Sequence, residues 1–430
     1  MTQILSQRRG HRRRTAAAAL AVSLLLTGCA APPTPMTAAS AGPASEDAVE
    51  AAGVVPAATA EDQTAAATVL DHRAIRSQIA GIAQKYGAAG VQTAIINDGR
   101  VVGEYAWGWA TRDTERMTTE HKIRVASVSK VILAMGAMLL HEDGLLDLDG
   151  DIGQYWDVET AGAAYPDDPV SVRTILSHTS AIPCYGDYYS VSAGGIRSRL
   201  SYGVGGARPG DPALWCYNNY AFSVLGATME RAAGQTVDEI LGSRLFEPLG
   251  IDASFAGGDL EDPSLVATLY RGRSVEQSSA LQQSMHLDDT PGENSGYYAG
   301  GLNISAGDLA RLIALLANDG VYDGRRLMEI TSVAQMENRC NRPLDDGSYQ
   351  AHPMLYVPQI YGRTGVYYHP GNAYGAYCIV SYDPETRDGV VVLTTGASGE
   401  AKRFELYSVC DEISEFLYEI LSHRLQTDTE

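Results

Sequence analysis

The sequence predicts a mixed α/β fold of the α+β kind. One antiparallel sheet is assembled from both ends of the folded region and flanked by helices, with a mostly helical lobe between. Three observations predict it. Strand signals cluster near residues 91–107 and again near 377–393. Outside both clusters the apolar residues fall at helical spacing. The middle of the chain is short helices and Gly/Tyr-rich loops without a long strand. Of 430 residues, 45% are hydrophobic and 20% charged, which supplies a sizeable core.

The chain opens with Arg8, Arg9, Arg12, Arg13 and Arg14 and no acid, followed by an apolar run over 16–26. That run is too short to cross a bilayer and has the basic flank of a secretory signal. It ends in Leu26-Thr27-Gly28-Cys29. This resembles a bacterial lipobox, whose cysteine is diacylated and becomes the first residue of the mature protein. The reading is a lipoprotein signal peptide over 1–29 and a mature chain anchored to the membrane, outside the cytoplasm, by lipid on Cys29. An ordinary signal peptide with a chance cysteine is the alternative. Residues 30–69 are rich in Ala, Thr, Pro, Ser and Glu, a flexible tether. Acidic residues outnumber basic ones 52 to 32, for a net charge of −20, which repels phosphate backbones and argues against nucleic-acid binding.

Residues 71–86 read as a helix with Ile75, Ile79 and Ile82 on one face. Strands over 91–96 and 101–107 flank Asn97-Asp98-Gly99-Arg100, a hairpin signal with Asp-Gly at the turn. A helix follows over 128–140 and breaks near Gly144; another covers 309–316. Strands over 377–382 and 390–393 are joined by Asp383-Pro384-Glu385-Thr386. Leu406, Cys410, Ile413, Leu417, Ile420 and Leu421 make the last helix amphipathic. The folded domain is placed at 70–425, its sheet lobe at about 70–125 and 300–425 and its helical lobe at about 126–299. The cleft between lobes is the default site. Cys184, Cys216, Cys340, Cys378 and Cys410 read as structural, and no spacing suggests a metal site. No metal or organic cofactor is implied.

Three segments carry chemistry. Ser127-Val128-Ser129-Lys130 places a hydroxyl and an amine on one helical face, where a loop becomes a helix. A Ser hydroxyl needs a neighbouring base, and a Lys made neutral by burial can be that base. With 31 serines and four lysines, about 0.3 such spacings arise by chance. Tyr217-Asn218-Asn219 precedes an apolar helical run. A Tyr hydroxyl relays a proton if a cation stabilises its phenolate, and an Asn amide can bridge Lys130 and a substrate carbonyl. His369-Pro370-Gly371 precedes the strand at Tyr377. Gly371 permits close approach of substrate to the backbone, and Pro370 marks an edge strand.

In chain order these segments resemble the active-site signature of the serine β-lactamase and penicillin-binding superfamily, nearest its class C branch with its esterases, D-aminopeptidases and DD-peptidases. The flanks agree: Arg124-Val125-Ala126 before the nucleophile, then Asp143-Gly144-Leu145, Leu176-Ser177-His178-Thr179-Ser180, Phe246-Glu247-Pro248-Leu249-Gly250 and Gly300-Gly301-Leu302. The likeness runs from about residue 72 to 423 and implies a β-lactamase/transpeptidase-like fold. It implies Ser127 as acylated nucleophile, Lys130 as its base and Tyr217 as proton shuttle. Asn219 would orient substrate and Lys130, and the amides of Ser127 and Asn372 would form the oxyanion hole. His369, Gly371 and Asn372 would line the substrate.

The sequence departs from the family pattern where His369 stands in the place of a usual Lys, which weakens the expectation of β-lactamase activity. Arg363-Thr364-Gly365 also mimics the third segment and stays open as an alternative. His178 is a packing landmark in relatives. A bond between Cys184 and Cys216 would brace the Tyr217 loop. Tyrosines 185, 188, 189, 297, 298, 367, 368 and 374 either line the cleft or pack. The leading reading is an extracytoplasmic serine hydrolase acting through an acyl-enzyme on an amide or ester, with small-molecule or peptide substrates such as D-amino-acid peptides of the cell wall. The alternatives are a β-lactamase or penicillin-sensitive DD-carboxypeptidase, and a non-catalytic binding lipoprotein of the same fold.

Overall fold

The computed structural model describes residues 71–183, 191–401 and 403–427. The expected signal peptide, Cys29, the tether, Cys184, Tyr185, Tyr188 and Tyr189 lie outside those residues. Helix α1 (His72–Lys85) starts at Asp71, whose carboxylate accepts from the amides of Arg73 and Ala74. Strands β1 (Gly90–Asn97) and β2 (Arg100–Thr111) form the expected hairpin, with Asp98 and Gly99 both at positive φ as the tight turn demands. A short β3 (Glu115–Arg116) follows, then α2 (Ser129–Glu142), α3 (Asn219–Ala233) and α4 (Ala306–Ala317). The chain returns through β4 (Tyr349–Gln350), β5 (Leu355–Ile360), β6 (Arg363–Ala373), β7 (Ala376–Asp383) and β8 (Asp388–Thr395), and ends in α5 (Ser408–Thr427).

The eight strands make one antiparallel sheet in the order β4-β5-β6-β7-β8-β1-β2-β3. Its closure is the pairing of β1 with β8, from Gly90 opposite Thr395 to Ile96 opposite Gly389, so both ends of the domain meet in its centre. Val91 and Ile95 pack under α1 and α5, while Ala94 and Ile96 pack on the opposite face with α4. Burial on both faces explains why 390–393 reads as an unbroken apolar run, not an alternating one.

Helix α2 is the axis of the other lobe. Every residue from Ser129 to Leu140 is buried, consistent with a helix apolar nearly all round. The expectation that the His369-Pro370-Gly371 strand is an edge holds only in part. Strand β6 is interior, between β5 and β7, until the pairing of Leu355 with Tyr368. Beyond that point residues 369–373 keep β7 alone, and Pro370 sits where no second ladder asks for its missing N–H.

Candidate active site

Ser127 lies in a single 3₁₀ turn, Ala126–Val128, that runs directly into α2. Ala126 is forced to φ +51, a left-handed conformation that costs a non-glycine residue about 1 kcal/mol. The turn is held by a zipper to residues 299–304. Ile123 and Arg124 pair with Ile304 and Asn303, the Val125 amide donates to the Leu302 carbonyl (2.9 Å), and the Leu302 amide donates to Ser129 Oγ (3.1 Å). This gives Gly300-Gly301-Leu302 its purpose. A Cβ on Gly301 would meet the carbonyl oxygens of Tyr297 and Phe255.

Lys130, fully buried one turn along, donates to Ser127 Oγ at 3.2 Å and to the Ala299 carbonyl at 2.6 Å. Burial alone lowers its pKa to about 7. Near pH 7 a substantial share is then a neutral amine, within reach of the Ser127 hydroxyl and chemically able to take its proton. Its Nζ sits 5.1 Å from the Tyr217 ring centroid and 5.6 Å from that of Phe222.

Tyr217 is held from below by His178. The rings lie 4.5 Å apart, the Cys216 amide donates to the His178 carbonyl (3.0 Å), and the Asn218 amide donates to His178 Nδ1 (3.1 Å). That bond makes Nδ1 an acceptor, and burial, then Lys130 and His369, holds the imidazole well below its usual pKa. The packing role expected for His178 is thus specific: it fixes the loop that carries Tyr217. Trp215 Nε1 adds a 3.0 Å bond to Gln350 on β4, tying the same loop to the sheet. Cys216 is disulfide-bonded, whereas Cys340, Cys378 and Cys410 are free.

Asn219 does not take the place expected of it. It is exposed, and the two hydrogen bonds of Lys130 go to Ser127 and Ala299. Its neighbour Asn218 is the buried one, capping α3 by accepting from the Ala221 amide (3.0 Å) and donating to the Ile182 carbonyl (2.8 Å). The cap needs the first Asn to turn inward, which leaves the second facing outward on the first turn of the helix.

His369 is buried on β6, and its Nδ1–H donates to the Pro370 carbonyl at 2.7 Å. Its other nitrogen is therefore an acceptor. Burial, reinforced by Lys130, lowers its pKa to about 3, so the third segment carries no cation at neutral pH. Gly371 serves a different approach from the one expected. A Cβ there would overlap the Val125 carbonyl oxygen and crowd Val128, so its bareness lets β6 dock on the nucleophile turn itself. Asn372 is exposed on the stretch of β6 that pairs with β7 alone, and its side-chain amide donates to the Tyr407 hydroxyl.

The alternative third segment is excluded. Arg363 is buried at the far end of β6 against Asp388 (2.8 Å) and Asp383 (3.4 Å). At ~3.3 Å per residue it is roughly 26 Å along the strand from Gly371. Among the cleft tyrosines, Tyr298, Tyr367 and Tyr368 are buried packing residues, and Tyr374 lies over the Arg124 guanidinium at 5.0 Å. The Ala299 carbonyl is the functional group that sequence reasoning missed. A main-chain acceptor has no residue type, and only its adjacency to Gly300-Gly301-Leu302 could have signalled it.

With Ser127, Lys130 and the third segment brought together, comparison with known proteins settles the family: the Beta-lactamase family model matches residues 73–409. The chain belongs to the Beta-lactamase family. Penicillin-binding protein 4 of Amycolatopsis lactamdurans is 27% identical to this β-lactamase-family serine hydrolase over 336 residues, 76% of this chain and 86% of that one. EstCE1, described as a hydrolase with promiscuous acyltransferase activity, has a TM-score of 0.63 at 22% identity, covering 81% of this chain and 98% of its own. The D-amino acid amidase from Ochrobactrum anthropi SV3 has a TM-score of 0.61 at 22% identity, covering 82% and 99%.

Proposed function

We propose that the protein hydrolyses amides or esters through an acyl-enzyme on Ser127, outside the cytoplasm, on uncharged-ended substrates such as D-amino-acid amides, peptides or esters. The observation that carries this is the buried Lys130 amine 3.2 Å from Ser127 Oγ, with a pKa of about 7. The amine takes the hydroxyl proton as Ser127 attacks the carbonyl carbon. Tyr217, beside the amine, passes a proton to the leaving group as its bond to the acyl carbon breaks and regains one from Lys130. Water then attacks the acyl carbon, gives a proton back by the same route, and the ester bond to Ser127 breaks to restore its hydroxyl. The neutral, proton-accepting His369 supports the substrate class: it offers no cation to a carboxylate beside the scissile bond, unlike the family's usual Lys. Kinship with D-amino acid amidase and EstCE1 points the same way. The relationship to penicillin-binding protein 4 favours a second reading, a DD-carboxypeptidase or β-lactamase.

The test is turnover by the purified full chain of a nitrophenyl butyrate, a D-alanyl nitroanilide, a D-Ala-D-Ala peptide and a chromogenic cephalosporin, with Ser127→Ala as control. Serine-dependent turnover of ester or anilide, with little of the last two, is expected. Fast cephalosporin or D-Ala-D-Ala hydrolysis establishes the second reading. A protein that neither turns over nor forms a covalent adduct is a binding protein, and the proposal falls.

A further inference from the structure

The acceptor that holds Lys130 is itself held. Ala299 follows a short helical turn, Ser295–Tyr298, whose last residue is fully buried beneath α3. The Tyr298 hydroxyl donates to Glu230 Oε1. Glu230, on α3 and wholly buried, also receives the Asn294 side-chain amide (2.9 Å) on Oε1 and the Gly292 main-chain amide (2.7 Å) on Oε2. One carboxylate thus gathers three donors from the segment 292–298, and Arg231, the next residue, is not among its partners. The Tyr298 ring fits only because α3 has a glycine opposite it: a Cβ on Gly226 would overlap the ring. Burying a carboxylate without a cation costs several kcal/mol unless hydrogen bonds compensate. A core aimed at stability alone is served as well by an apolar residue of similar volume.

We propose that Glu230 and Tyr298 are positioning residues for the general base: they fix the Ala299 carbonyl, which takes one N–H of Lys130 and leaves the amine's lone pair directed at Ser127. The proposal rests on Lys130 acting as the base. A neutral amine has two N–H bonds and one lone pair. Without a fixed acceptor on the far side, it is free to turn an N–H instead of the lone pair toward Ser127 Oγ. The other groups facing Lys130 are placed differently: the Tyr217 and Phe222 ring centroids lie 5.1 and 5.6 Å from its Nζ, and His178 Nδ1 is already taken by the Asn218 amide. Asp238 is the other acidic group near Glu230, and its carboxylate is engaged by Ser254 and the Phe255 amide.

The chain has only four lysines, Lys85, Lys122, Lys130 and Lys402, so lysine labelled with ¹³C at Cε gives a readable titration. The full chain is used, with Cys29→Ala to keep it unlipidated, and the Lys130 signal is assigned by its loss in Lys130→Arg. Tyr298→Phe removes one oxygen and keeps the ring that fills the Gly226 gap; Glu230→Gln is the second variant. Losing a carbonyl partner disfavours the ammonium. In both variants the Lys130 midpoint should fall by about half a pH unit, and acylation by a nitrophenyl ester at pH 7 should slow about tenfold with KM little changed. Folded variants whose Lys130 midpoint matches the parent's overturn the proposal, whether or not acylation slows, because the network then acts on something other than the lysine. A parent protein that no ester acylates defeats the hydrolase reading instead, and the titration still decides whether the pillar holds Lys130.

Discussion

Two neighbouring bases in this site are set to different pH ranges, chiefly by burial and, for His369, by Lys130 as well. Burial lowers Lys130 to about 7 and His369 to about 3, so one titrates in the working range and the other stays neutral throughout it. The amine is the base only when unprotonated. Acylation should therefore rise with pH through an apparent pKa near 7, fall tenfold per unit below about pH 6, and show no second limb from His369 down to pH 4. Stopped-flow acylation across that range measures it; an acid limb below pH 5 would assign the base to another group. Lys130→Ala should slow acylation by roughly 10²–10⁴-fold above about pH 7, with the difference shrinking as the parent's amine is protonated. Unchanged acylation by that variant would remove Lys130 from the mechanism.

The elements work by close approach. Strand β6 reaches the nucleophile turn because Gly371 has no Cβ to hold it off the Val125 carbonyl. Gly371→Ala should cost about 2 kcal/mol, as overpacking does, and slow acylation as β6 backs away from Ser127. Thermal unfolding and burst kinetics read the two effects, and a variant unchanged in both would mean that β6 does not depend on this contact. Gly371 also marks where the sequence was legible and where it was not. Its chemical type announced a tight approach, but the sequence could not say to what. Ser127 and Lys130 were legible because their i, i+3 spacing spans one turn where the 3₁₀ segment runs into α2, and both helix ends and both strand clusters because their patterns are local. Three features lay beyond it. The choice between Asn218 and Asn219 depends on which one caps α3, the fate of Arg363 on Asp383 and Asp388 twenty residues and more away, and the Lys130 acceptor on a main-chain atom 169 residues on. The last two are long-range pairings that only the closed sheet and packed lobes create, and the first is a local cap that two adjacent asparagines could equally have supplied.

At the scale of the whole molecule, a net charge of −20 sits on a domain whose proposed attachment to the membrane is a lipid on Cys29 and a tether over 30–69. Such a surface gains nothing from anionic lipid headgroups, so in that proposal the acyl chains alone supply the attachment. Cys29→Ala should move the protein from the membrane to the soluble fraction with its hydrolytic activity intact; a protein still membrane-bound after that change would point to another attachment. Among the described residues no helix is long and apolar enough to cross a membrane. The pairing of β1 with β8 has a consequence in time. Asp388–Thr395 is made roughly 300 residues after its partner Val91–Ile96. At 5–20 residues per second, this apolar strand waits roughly 15–60 s with one edge bare. Throughout that interval Ser127 exists without the β6 wall that docks beside it.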